Sequence, residues 1–138
     1  MFTNRHAVAS LDLDECRRLL GTQLLGRLAL SVGALPAVVP VFYHLAENQV
    51  VFAVETDELY TALLDNIVAF EVDRIDVVAQ EGWVVVVVGR SEPLGGDALI
   101  GLGRRGAPSS TIAARHVGVS LDRLSGFRSD GASERRYS

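Results

Sequence analysis

Apolar and polar positions along this chain fall into short blocks, and most of them read as strands. Residues 24–32, "LLGRLALSV", are strand-like and run into a turn at Gly33. Residues 35–45, "LPAVVPVFYHL", form a second strand whose Pro36 and Pro40 predict an edge or irregular position. "AENQ" then turns the chain into a third strand, "VVFAV". "IVAFEVD" (67–73), "GWVVVVVGRSEPL" (82–94) and "ARHVGVSL" (114–121) supply three more. Helical spacing occurs in two places. "SLDLDECRRLLG" has Asp12 as a cap, Glu15 three residues on and Gly21 as a stop. A second helix begins near Leu59 and runs to about Asn66, with Asp57 as its expected N-cap. A short helix is expected around residues 97–102 inside a Gly-rich stretch.

Short strands in hairpin-like succession with few helices predict a mainly β chain built as a small antiparallel barrel. The run Val84 to Val88 sharpens this, because a half-exposed strand alternates whereas five successive valines ask for burial on both faces. One face can fill the barrel. The chain has little helix to cover the other, so a homodimer is the expected solution.

Length changes the picture only by limiting it: 138 residues suit one domain, expected over residues 1–128, with a polar and disordered tail at 129–138. No stretch has the length of a membrane span and the N-terminus lacks a leader pattern, which predicts a soluble, cytoplasmic chain. The single Cys16 rules out an internal disulfide. All 13 cations are arginine, so no lysine can form a Schiff base. The net charge of −4 argues against a nucleic-acid partner. Charge is segregated: residues 44–82 hold nine acids against Arg74, while residues 104–138 hold seven arginines against three acids.

Candidate chemistry is sparse. "GLGRRG" (101–106) has the spelling of a dinucleotide turn without its strand, helix or βαβ context, and Pro108 stands where the helix would begin. His6, His44 and His116 show no metal-ligand spacing, so no metal is expected. Trp83, the only tryptophan, is either an interface anchor or a stacking wall. The junction "VETDEL" places Glu55, Asp57 and Glu58 where a strand enters a helix, a position that ordinarily favours anions. A helix cap explains one acid but does not require three.

The stretches "DECRRLLGTQLLGRLAL", "LPAVVPVFYHLAENQVVFAV", "IVAFEVDRID", "GWVVVVVGRSEPL" and "VSLDRLSGFR" resemble, in order and spacing, the pyridoxamine 5′-phosphate oxidase-like family of flavin-binding split barrels. The resemblance spans about residues 12–128. It implies an antiparallel split barrel, a homodimer, and flavin mononucleotide (FMN) or a phosphorylated deazaflavin at the subunit interface. It sets the ring against Val39, Pro40 and Val41, the phosphate near Val54 and Thr56, and Trp83 at the interface wall. The family's phosphate-binding cations and hydroxyl group fall on Ala53, Leu59 and Glu58, so the usual contacts are absent. Compensation would have to come from Arg104, Arg105, Arg115 or Arg128.

Two functions remain open at this stage. The first is a flavin-dependent oxidoreductase acting on a small organic substrate. The second is a cofactor-free barrel whose interfacial cleft binds, or templates a reaction of, a non-phosphorylated small molecule, with Tyr43, His44, Tyr60, Glu55, Asp57 and Glu58 as its polar groups and catalytic candidates; a structural dimer with no ligand is a weaker third reading.

Overall fold

The structure, a computed structural model, describes residues 9–95 and 115–129. In chain order the elements are β1 (Ala9–Ser10), α1 (Leu13–Leu20), β2 (Leu25–Val32), β3 (Leu35–Ala46), β4 (Gln49–Val54), α2 (Asp57–Leu63), β5 (Ile67–Asp76), β6 (Glu81–Leu94), β7 (Arg115–Ser120) and β8 (Leu124–Ser129). All strand pairings are antiparallel, in the order β1-β8-β6-β5-β2-β3-β4-β7. The long β6 turns a corner: its first part pairs with β5 and β8, and Ser91–Leu94 pair with β7. That second pairing closes β2 to β7 into a six-stranded barrel, with β8 and β1 added beside β6.

The barrel interior is filled from each of its six strands. Leu28, Phe52, Phe70, Val72, Val85, Val87, Val117 and Val119 are buried. Phe52 stacks on Phe70 at 6.2 Å, and Tyr43 meets Phe70 edge-on at 5.0 Å. Each such ring contributes about 1.5–3 kcal/mol by burial alone. Helix α1 closes one end through Cys16, Leu19 and Leu20. Asp12 caps it by accepting the Glu15 N–H at 2.8 Å, and Gly21 follows its last turn. Two glycines exist for contact rather than for turning. A Cβ on Gly26 would lie 2.2 Å from the Phe70 ring, and one on Gly126 would lie 2.7 Å from Cys16 Sγ.

Several of the expectations are corrected by the structure. Thr56, not Asp57, caps α2: its Oγ1 accepts the Leu59 N–H at 3.2 Å, and Asp57 is already helical. Helix α2 ends at Leu63 rather than near Asn66, because Asp65 takes a left-handed φ of 53°. Buried Ser91 then ties that end to β6, its Oγ donating to the Leu63 carbonyl. Residues 124–129 form a strand, β8, that apolar alternation did not reveal. The valine run alternates within one chain, with Val85 and Val87 fully buried while Val84, Val86 and Val88 are half-buried on the outer face. The expected helix at 97–102, the "GLGRRG" stretch with Arg104 and Arg105, His6, and the tail beyond Ser129 lie outside the described residues. Among the described residues no helix is long and apolar enough to cross a membrane, and no group of three or more ligand-type side chains gathers as a metal site.

Candidate functional site

The site begins with a parting of strands. β3 pairs with β2 along Leu35–Phe42 and with β4 only along Tyr43–Ala46. β4 meanwhile continues to Val54 in partnership with β7. The two strands therefore separate beyond the Tyr43–Phe52 pair. Among the described residues, the backbone groups of Val39, Pro40 and Val41 on the side away from β2 have no strand to bond, which leaves an edge open to a planar hydrogen-bonding ligand. Prolines at 36 and 40 suit a strand with one partner, as the sequence predicts.

At the head of the cleft lies the acidic junction. Glu55 and Glu58 are exposed, and Asp57 pairs with Arg115 at 2.7 Å. The Arg115 guanidinium also sits 4.5 Å above the Tyr60 ring. Its place follows from register, since Arg115 stands opposite Val54 at the start of β7. A cation is thus present at the strand-to-helix turn although Ala53 and Leu59 supply none; it arrives from the neighbouring strand. Leu59 packs against the core, and Val54 is buried, so Val54 offers backbone only.

Histidines lie on the outer side of the same region. His116 stands opposite Ala53, and its Nδ1 is buried without a hydrogen-bond partner among the described residues. Burial, with the nearby His116 adding to it, pushes the His44 pKa below its ordinary value. Tyr43 is not available to the cleft. Its hydroxyl donates to the Leu20 carbonyl inside the barrel, and burial raises its pKa to about 12. Thr56 and Tyr60 do border the junction. Trp83 does not join Val39–Val41 within one chain, because β5 and β2 stand between β6 and β3. Nor does Arg128, which pairs with Glu15 at 3.2 Å.

A further group went unread in the sequence. Arg27, Glu71 and Asp73 share the outer face of the sheet, where Arg27 stands opposite both Pro40 and Glu71. Arg27 reaches Asp73 at 3.1 Å and Glu71 at 3.5 Å, the second too long to satisfy Glu71 Oε1 as a hydrogen bond. Burial, then the Asp73 carboxyl beside it, raise the Glu71 pKa to about 7, against the pull of Arg27. Around this cluster the face is apolar: Val38 and Phe42 are exposed, and Ala29, Ala69, Val84, Val86 and Val88 are half-buried. The sequence signal was the pair of acids two apart in "FEVD", which puts both on one face of a strand.

The sequence signature of the pyridoxamine 5′-phosphate oxidase family matches residues 12–126. A Mycobacterium tuberculosis relative, the uncharacterized protein Rv0080, is 34% identical over 88 residues, covering 59% of this chain. The match spans only 58% of that relative's length. Among solved structures, an FAD-binding protein from Mycobacterium smegmatis superposes with a TM-score of 0.74 at 28% identity, covering 90% of this chain and 99% of its own. An FAD-binding protein from Mesorhizobium loti shares the fold with a TM-score of 0.69 at 21% identity, covering 88% and 97%. With the signature extending from the cap of α1 into β8 and the barrel split beside β3, this chain belongs to the pyridoxamine 5′-phosphate oxidase family.

Proposed function

We propose that this chain binds a flavin nucleotide in the cleft beside β3 and acts, as a homodimer, as a flavin-dependent oxidoreductase on a small organic substrate. The observation that carries the reading is the unpaired edge of Val39–Val41 with a cation, Arg115, at the head of the same cleft. An edge of this kind offers in-plane backbone hydrogen bonds to a flat heterocycle, while Arg115 offers a charge-assisted bond to phosphate. A bound flavin supplies hydride or electron transfer. The chain's part is to bind and orient: backbone of Val39, Pro40 and Val41 for the ring, and Arg115 with the Thr56 region for the phosphate. A second copy packed on the apolar outer face would wall the cleft and exclude water.

The acidic junction favours the dinucleotide over the mononucleotide. FMN ends in a phosphate carrying nearly two charges, which Glu55, Asp57 and Glu58 oppose with only Arg115 in support. The diphosphate of FAD carries about one charge per phosphorus and continues outward. The FAD-binding relative from M. smegmatis supports the same choice.

The test is an absorbance spectrum of the purified protein, then titration with FAD, FMN and a deazaflavin cofactor. A bound-flavin spectrum, or saturable binding with FAD tighter than FMN, is expected. A colourless protein indifferent to all three would overturn the reading in favour of a cofactor-free barrel.

A further inference from the structure

A second concavity lies away from the β3 edge, beneath the tip of the β5–β6 hairpin where β8 joins it. It measures about 620 Å³, within the range of roughly 300–1,000 Å³ usual for small-molecule sites. Its floor is a cross-strand row. Arg74 on β5 pairs with Trp83 on β6, and Trp83 pairs with Arg128 on β8, so the three residues share one face with Trp83 on the middle strand. Trp83 packs one side against the barrel core and lines the concavity with the other. Arg128 is engaged by Glu15. The Arg74 side chain makes no hydrogen bond or ion pair among the described residues, although carboxylates are plentiful nearby.

Acids at the rim give the site a direction. Asp76 and Glu81 form the next cross-strand pair towards the hairpin tip and also line the space. Asp76 is occupied, accepting the N–H groups of Val78 and Ala79 at 3.1 Å each. A ligand with one anionic group is repelled from this rim and drawn towards the Arg74 row. A flat apolar body gains most by lying on the exposed indole face and against Val77.

We infer that this concavity is a binding site for a planar aromatic carboxylate, with Trp83 as stacking surface and Arg74 as the anion clamp. A guanidinium fork matches a carboxylate in both shape and charge, which an unpaired Arg74 is free to do. The site is separate from the flavin cleft of the same chain, since β2 stands between β3 and the nearest strand of the concavity, β5.

The chain's single tryptophan makes the test direct, because all tryptophan emission reports on this place. Benzoate is titrated against the full-length protein while Trp83 fluorescence is followed, with benzamide as the neutral match in shape. Saturable quenching by benzoate is expected, weaker by about tenfold for benzamide and for Arg74→Gln. Arg74 is exposed, so the substitution leaves folding intact, and an unchanged melting temperature verifies that. The Arg74→Gln variant should titrate with FAD as the parent does. Absence of saturable quenching, or equal affinity for benzamide, or an unaffected Arg74→Gln variant, would each overturn the assignment. A parallel loss of FAD binding in that variant would also overturn it, by making the concavity part of the cofactor cleft.

Discussion

Replacing Asp57 by asparagine isolates the electrostatic question at the head of the cleft. Asp57 holds Arg115 at 2.7 Å, yet its side chain is 87% exposed and that of Arg115 is 50% exposed. An ion pair so wet contributes about 0–1 kcal/mol, and a first-turn acid gains about 0.3–1 kcal/mol from the helix dipole. The substitution therefore costs the fold about 1 kcal/mol. Its effect on a phosphorylated ligand is larger and opposite in sign. Two unit charges about 4 Å apart interact by about 1 kcal/mol in bulk water and by about 4 kcal/mol at a protein surface. The exposure of both partners puts this site near the aqueous limit. Removing one carboxylate from beside a phosphate bearing one or two charges, and freeing Arg115, should improve binding by about 1–2 kcal/mol. That corresponds to about 5–30-fold in dissociation constant.

The assay is fluorescence titration of Asp57→Asn with FAD and FMN at low ionic strength, repeated near 1 M salt. There the Debye length falls to about 3 Å and the advantage should shrink. FMN, with the more highly charged terminal phosphate, should gain more than FAD. Arg115→Gln must move affinity the other way. Unchanged affinity in Asp57→Asn, or an Arg115→Gln variant that binds as tightly as the parent, would show that the phosphate lies elsewhere and refute the reasoning.

Three other perturbations probe the surrounding structure. Gly26→Ala drives a methyl group into the Phe70 ring at 2.2 Å and should lower stability by about 1–3 kcal/mol, read from urea midpoints; a neutral result would mean Phe70 is free to move. Glu71 is a carboxyl whose folded pKa, about 7, lies above its ordinary 4.5, so the folded state holds the extra proton between those values. Stability should accordingly fall as pH rises from about 4.5 to 7 and level off above. Glu71→Gln should flatten that slope and stabilise by about 1–2 kcal/mol at pH 8, after discounting for partial exposure, as thermal melts across pH would reveal. Finally, the protein should sediment as a dimer at micromolar concentration and Val88→Glu should release monomer, whereas a monomeric parent would remove the argument from the outer valine face.

What was legible in the sequence was whatever rests on local rules. The Asp12 and Glu15 spacing, the two prolines of β3 and the long apolar strands each express a constraint within a few residues, and the elements follow them closely. What stayed hidden depends on register. Arg115 is sixty-one residues from Val54, and only the β4–β7 pairing sets it beside the acidic turn. Arg74, Trp83 and Arg128 likewise become neighbours through two separate pairings, and nothing in their spacing announces it. β8 escaped because "LSGFRS" places Gly126 where alternation calls for an apolar side chain; its Cβ space is already taken by Cys16 from α1. The cap of α2 was misplaced by one residue because Thr56 and Asp57 are both good caps, and the choice belongs to where β4 ends. The missing phosphate cations therefore admit a structural explanation that position-by-position matching cannot see. Charge at a site is conferred by every strand that borders it, and here the bordering strand is β7. Cations absent at Ala53 and Leu59 do not make an uncharged site, and with Arg115 held by Asp57 the net balance is set by the pair rather than by either residue alone.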